Sequence, residues 1–217
     1  MRFLITAGPT REYLDTIRFI SNASTGLTGF EIAREAARRG HQTVLVAGPT
    51  SLADPQAVEV VRVTSAEEML QAVMQHLPES SVVIGTAAVC DWRPTYTFPH
   101  KRPKEDGPPV LSLEPTPDIL KEVGKRKEGR LVIGFALEDT EGRSKALQKL
   151  KRKNMDYIVL NGPQNLGAPE GTYEIIDSKG AIWSLGKLAK TEFASVLVSL
   201  ALQGTDALAG FPRLAPP

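Results

Sequence analysis

The chain has 217 residues, 41% of them apolar and 24% charged, with a formal net charge of +1. That length fits one domain with room for a sizeable core, and the composition is that of an ordinary globular protein. A near-zero charge with no long basic block excludes a general binder of nucleic acid or of an anionic membrane surface.

The chain opens on Phe3-Leu4-Ile5-Thr6-Ala7, expected as a first buried strand. No basic segment with a long apolar core precedes it, and no apolar run is long enough to span a bilayer, so a cytoplasmic location is expected. Gly8 to Thr25 is turn-prone chain of mixed polarity. Leu27 to Arg39 has helical spacing of Phe30, Ile32, Ala33 and Ala36-Ala37 and stops at Gly40. "QTVLVAG" and "VEVVRV" read as the second and third strands, and Thr64-Ser65 as the N-cap of the helix "AEEMLQAVMQHL". "SVVIGTAAV" is continuously apolar, as a parallel strand covered on both faces should be.

Cys90 to Pro109 then loses all periodicity, being rich in proline and basic residues, and is expected as a mobile lid. A short strand "VLSLE" follows. Thr116-Pro117-Asp118 reads as N-cap, first-turn proline and acidic first turn of the helix "DILKEVGK". "RLVIGFAL" is a strand, "GRSKALQKLKRKN" a helix and "DYIVLN" a strand. "TYEIID" and "AIWSL" form a hairpin around Gly180, and "KLAKTEFASVLVSLALQ" is the closing helix. One domain is expected over 1–203, with a flexible tail over 204–217.

Strands alternating with helices predict an α/β fold: a doubly wound, mainly parallel, Rossmann-like sheet flanked by helices, with a C-terminal β-hairpin. Such sheets bind ligands beyond the carboxyl ends of their strands. The residues expected there are unusual. Gly26-x-x-Gly29 opens a helix whose first amides can receive a phosphate, and Ser21, Asn22, Ser24 and Thr25 precede it with hydroxyl and amide groups. A dinucleotide site needs G-x-G-x-x-G directly after the first strand and an acid after the second. Both are missing, so an NAD(P)-dependent oxidoreductase rests on fold analogy alone.

Asp91 follows the fourth strand, where its carboxylate serves either as a loop cap or as an acceptor for a base amino group. Lys101 and Lys104 sit in the lid, either solvated or carrying charge onto a reacting phosphate. Lys149 and Lys153 share one helix face. The single cysteine, Cys90, excludes an internal disulfide, fits a reducing compartment and reads as packing at a strand end, with no paired histidine to activate it. His41, His76 and His100 lack metal-ligand spacing, so no protein-built metal site is expected.

Together, "ITAGPTREYLDTIRFISNASTG" through Gly29, "AAVCDWR", the lysine-bearing loop, "PTPDIL", "IGFALE" and "KLKRKN" resemble the phosphopantothenate–cysteine ligase family, from Met1 to about Leu202. The resemblance implies a stand-alone ligase that activates 4′-phosphopantothenate with a nucleoside triphosphate, CTP or ATP, accompanied by Mg2+. Pyrophosphate leaves, and L-cysteine then displaces the nucleotide. It further implies a homodimer, with neither nucleic acid nor membrane as a partner. Asn22 matches the asparagine that contacts the acyl intermediate, and Lys101 matches the lid lysine of acyl transfer. Ser24, Thr25 and Gly26 match the phosphopantothenate segment. Ala87, Ala88, Asp91, Pro117, Asp118, Ile119, Leu120, Phe135, Lys149 and Lys153 match nucleotide-binding positions. Three departures stand out: Leu27-Thr28 for a Lys-Met pair, Arg102-Pro103 in the lid, and Gly162 for an aspartate. The first leaves one positive charge fewer near the phosphate. A non-catalytic nucleotide-binding module of the same fold is the alternative these departures favour.

Overall fold

The structure, a computed structural model, describes residues 1–107, 110–138 and 141–215. Its elements in chain order are β1 (Arg2–Ala7), β2 (Arg11–Tyr13), β3 (Phe19–Ser21), α1 (Leu27–Arg38), β4 (Gln42–Ala47), β5 (Glu59–Arg62) and α2 (Ala66–His76). They continue as β6 (Val82–Gly85), β7 (Trp92–Pro94), β8 (Leu113–Pro115), α3 (Ile119–Lys125), β9 (Leu131–Leu137) and α4 (Gly142–Arg152). The C-terminal part holds β10 (Tyr157–Asn161), β11 (Glu170–Asp177), β12 (Ile182–Ala189), α5 (Lys190–Gln203) and β13 (Arg213–Leu214).

The apolar runs build one nine-stranded sheet in the order β13-β12-β11-β10-β9-β6-β1-β4-β5. From β10 to β5 every pairing is parallel, and β11, β12 and β13 add antiparallel strands at one edge. The expected mainly parallel, doubly wound sheet and its hairpin are therefore present. Side chains alternate across β1: Phe3, Ile5 and Ala7 enter the core under α1 and α5, while Leu4 enters the core under α2, α3 and α4. Both faces are covered, which is why the central strands read as unbroken apolar runs.

Several local expectations are corrected. The Gly8–Thr25 detour contains a small antiparallel hairpin, β2 with β3. The segment after Cys90 contributes β7, which pairs with β8 as a second ribbon, and β8 itself spans only Leu113–Pro115. β6 ends at Gly85, short of the apolar run: Thr86 N still donates to Thr6 O, at 3.2 Å, but the next amide, Ala87 N, turns to the Thr6 hydroxyl, at 3.3 Å. Ser65 alone caps α2, accepting from Glu68 N at 3.2 Å.

Asp118, rather than Thr116, caps α3, accepting from Lys121 N at 3.1 Å. Thr116 is already committed, its hydroxyl donating to Cys90 O and its amide to Asp91 O. Pro117 consequently lies before the helix instead of within its first turn. Lys187-Leu188-Ala189 belongs to β12, since pairing with β11 outweighs the helical pattern of those residues. The tail is tied at two points: Leu208 is fully buried, and β13 pairs with β12. No described helix is long and apolar enough to cross a membrane.

Candidate active site

The strand order places a switch point between β1 and β6: the chain runs from β1 outward through β4 and β5, then crosses back to β6. Loops leaving these two strands at their carboxyl ends separate, and the crevice between them is where a ligand enters. The loops here are the Gly8–Thr25 segment and residues 86–91. They are stitched to each other. Ala88 N donates to Gly8 O at 2.9 Å, Cys90 N to Thr10 Oγ1 at 3.0 Å, and Asn22 Nδ2 to Ala88 O and Val89 O at 3.3 and 2.9 Å.

Two adjoining cavities open at this crevice. The smaller, about 190 Å3, is lined by Ser24 to Gly29, Thr86, Asn161, Asn165 and Lys190, among others. The larger, about 380 Å3, is lined by Cys90, Asp91, Thr116 to Leu120 and Lys153, among others. Ala87, Ala88 and Phe135 belong to both and form their common wall. A long ligand with an anionic end in one cavity and a planar group in the other would therefore have its middle against Ala87 and Ala88.

The smaller cavity is built on the start of α1. Gly26 occupies the N-cap position with φ 79°, a left-handed conformation that glycine adopts without steric cost, and no side chain caps the helix. Ser24 Oγ and Thr25 Oγ1 accept from the amides of Gly26 and Leu27, at 3.2 and 3.4 Å. The amides further along the first turn lack a side-chain cap and carry the positive end of the helix dipole.

In the larger cavity Asp118 forms an ion pair with Lys153, Nζ to Oδ1 at 2.8 Å. Asp91 is exposed on its rim. Cys90 is buried, its Sγ within 3.5 Å of Thr10 O and 3.6 Å of Ile20 O, and burial pushes its thiol up from the ordinary range. It packs; nothing activates it as a nucleophile.

The structure brings Ser24, Thr25, Gly26, Ala87, Ala88, Asp91, Pro117, Asp118, Ile119, Leu120, Phe135 and Lys153 to the two cavities. It leaves three expected residues outside them. Lys149 turns to Glu138, at 2.5 Å, so the shared helix face does not bring both lysines to the ligand. Asn22 supports the loop carbonyls behind the common wall. Both its acceptors are carbonyl oxygens, which fixes the amide nitrogen toward them and leaves the oxygen for a ligand donor.

Lys101 is exposed and lines neither cavity. Its loop instead rests on the turn of the β2–β3 hairpin. Arg102 N donates to Asp15 Oδ2 at 3.3 Å, Arg18 Nη2 donates to Arg102 O at 2.9 Å, and Phe98 N to Leu14 O at 2.9 Å.

Asp15 was not singled out by the sequence, yet it organises this contact while 1% exposed. Hydrogen bonds from Arg18, then from the amides of Ile17 and Arg102, hold its carboxyl well below the usual carboxylate range. The tie thus stays charged as pH falls through the range where free carboxylates titrate, and is lost only below it. The Asp15-x-x-Arg18 spacing was a visible signal. Lys190 was missed too, having no sequence mark that distinguishes it from the surface lysines.

A bigger cavity, about 850 Å3, lies elsewhere, between α4, β10 and β11, and shares only Asn161 with the smaller site cavity. Its one cation among the described residues, Arg143, is taken by Glu174 at 2.8 Å, and its other charged lining residues, Glu138 and Glu141, are carboxylates, so size alone does not make it a site for an anionic ligand.

Comparison with known proteins adds a family. The profile of the DNA/pantothenate metabolism flavoprotein C-terminal domain matches residues 1–204. The chain belongs to this family. Within the family, the coenzyme A biosynthesis bifunctional protein CoaBC of Bacillus subtilis (strain 168) is 43% identical over 169 residues, covering 77% of this chain and 42% of that protein. A cysteine/cysteine sulfinic acid decarboxylase from an unknown prokaryotic organism is 40% identical over 203 residues, covering 91% of this chain and 56% of that protein. The chain spans about half the length of these two relatives. The crystal structure of the C-terminal domain of a CoaBC protein superposes with TM-score 0.81 at 41% identity, covering 94% of this chain and 96% of that one. The family fold and the observed sheet agree.

Asn22→Ala tests the support role. Removing the two donors to Ala88 O and Val89 O leaves both carbonyls to water, at a cost of about 1 kcal/mol each. The expected result is a modest fall in melting temperature, because the common wall relaxes. Asn22→Asp should lower stability further, since its carboxylate faces two carbonyl oxygens. Unchanged melting in both variants would remove the loop-support assignment.

Proposed function

We propose that this domain joins 4′-phosphopantothenate to L-cysteine through an acyl-nucleotide, with CTP as the nucleotide and ATP as the alternative. The observation that carries this reading is the pair of cavities meeting at Ala87, Ala88 and Phe135. One ends on an uncapped helix N-terminus suited to a phosphate, and the other is rimmed by groups suited to a nucleotide. A reaction joining a phosphorylated acid to a nucleotide needs this arrangement, with the carboxylate and the α-phosphate brought together at the shared wall. The identity with CoaBC proteins over most of the chain supports the same choice.

In this reading the first-turn amides of α1 and the Ser24 and Thr25 hydroxyls hold the substrate's phosphate. Asp91 accepts from the cytosine amino group, which gives base discrimination because a base that covers this rim carboxylate without offering a donor leaves it desolvated and unpaired. Lys153, released in part from Asp118, faces the triphosphate. Magnesium enters as part of the triphosphate substrate. A carboxylate oxygen bonds to the α-phosphorus as the bond to pyrophosphate breaks. The cysteine amine then bonds to the acyl carbon as the acyl oxygen leaves with CMP, and the amine's proton passes to solvent. Lys101 is delivered to these oxygens when its loop closes. The reading includes a homodimer, for which exposed Trp92 and Leu113 of the β7–β8 ribbon offer apolar surface.

The test is pyrophosphate release with CTP or ATP, with and without phosphopantothenate, and then with cysteine. Release only when phosphopantothenate is present, with an acyl-cytidylate accumulating until cysteine is added, is the expected result. Nucleotide binding without turnover would make the domain a binding module. Carbon dioxide release from cysteine without triphosphate would place it with the decarboxylase relative.

A further inference from the structure

Lys190 is the first residue of α5 and is 5% exposed. Its ammonium donates to the carbonyl oxygen of Asn165 at 3.3 Å. Among the described residues it forms no ion pair. Two neighbouring carboxylates are committed elsewhere: Glu192, two residues on, accepts from Ala189 N at 3.0 Å, and Glu170, opposite Ala189 in the β11–β12 register, pairs with Lys187 at 2.5 Å. A cation is disfavoured here three times over. It has lost water, it sits at the positive end of a helix, and it pairs with no anion among the described residues. Burial accordingly pushes its pKa below that of a free lysine.

Among the described residues only the Asn165 carbonyl offsets these costs, and it is neutral; the cavity offers a place for an anion. Lys190 lines the same small cavity of about 190 Å3 as Ser24 to Gly29. Two helix N-termini, of α1 and α5, therefore border one space. No residue from Ser24 to Gly29 is charged. On the same wall Asn161 keeps a buried Oδ1 with no partner among the described residues, an acceptor that calls for a donor group of the ligand and adds nothing to the binding of an anion.

We propose that Lys190 is the fixed cation of a phosphate-monoester subsite in this cavity, its ammonium and the first-turn amides of α1 sharing the anion. The subsite itself stands on the geometry. That its anion is the phosphate of phosphopantothenate rests on the ligase reading. The subsite then selects phosphorylated over unphosphorylated substrate, because pantothenate would leave Lys190 buried without an anion.

The experiment compares wild type, Lys190→Met and Lys190→Arg. Binding of inorganic phosphate is read by calorimetry and thermal shift, and the KM for phosphopantothenate and for pantothenate by turnover. Lys190→Met should lose phosphate affinity by about 30-fold or more, the usual loss when one partner of a buried charge pair is truncated. Without phosphate it should melt at or above wild type, since an unpaired buried charge is gone. Lys190→Arg should keep most of the affinity, and in turnover the loss should fall on KM for phosphopantothenate, with kcat little changed.

A wild type blind to phosphate, a Met variant that binds as wild type does, or one that melts well below it would each overturn the proposal. If wild type turns over no triphosphate while phosphate binding still depends on Lys190, the ligase reading falls and the subsite stands. If turnover proceeds and Lys190→Met leaves KM unchanged, the subsite falls and the ligase reading stands.

Discussion

Lys101→Gln is expected to slow acyl transfer by roughly a hundredfold or more, the usual effect of removing one donor from a developing negative charge. CTP binding and melting temperature should change little. Lys101 is exposed and lines neither cavity, so the resting fold loses no packing with it. The effect arises because its loop, Cys90 to Gly107 of the described chain, leaves β6 at the ligand end of the sheet and rests on Asp15 and Arg18. In the proposed ligase reaction, closing over the substrates would require that contact to open and would bring an ammonium into a drier space where it counts for more. Single-turnover kinetics of both half-reactions, with Lys104→Gln as the control, check this. Damage confined to Lys104→Gln would mean that the neighbouring lysine is the one delivered.

Gly29→Ala is expected to destabilise the domain, against the ordinary direction of that change in a helix. Within an exposed helix alanine is favoured over glycine by about 1 kcal/mol. At position 29 the added Cβ would lie 2.5 Å from both Ala7 Cβ and Thr86 Oγ1, and 3.2 Å from Thr6 O. These atoms end β1 and the turn after β6, and the bonds from Thr86 to Thr6 O hold them there. The start of α1 must lift away from the sheet instead. Overpacking of this kind costs about 1–3 kcal/mol, or roughly 2–4 °C in melting temperature per kcal/mol for a domain of this size. Phosphate affinity should fall with it, since the lifted helix carries the amides proposed to receive the anion. Thermal denaturation with and without phosphate reads both effects. A melting temperature that rises would show that helix propensity outweighs the contact and that α1 has room to shift.

Much of the scaffold was legible because its signals are local. Unbroken aliphatic runs such as Val82 to Ile84 mark strands covered on both faces, and the 3.6-residue spacing of Phe30, Ala33 and Ala36-Ala37 marks a helix with one buried face. Their alternation dictates a mainly parallel sheet, and with it the end of the sheet where ligands bind. The Gly8–Thr25 segment and the loop after the fourth strand could be placed at that end for the same reason, whereas Pro117 to Leu120 was placed there only by the family resemblance.

Whatever depends on a partner distant in sequence was decided by the tertiary structure. Thr116 has the chemistry of an N-cap, yet Cys90 O and Asp91 O claim it, so the cap passes to Asp118. Lys149 and Lys153 are equivalent on a helical wheel, but Glu138 takes one and Asp118 holds the other at the cavity. Lys187 to Ala189 carry a helical pattern that pairing with β11 overrules. The burial of Lys190 has no local cause at all. It follows from where β12 ends against the loop that carries Asn165, and a side chain's desolvation is set by what packs around it, which no pattern along the chain encodes.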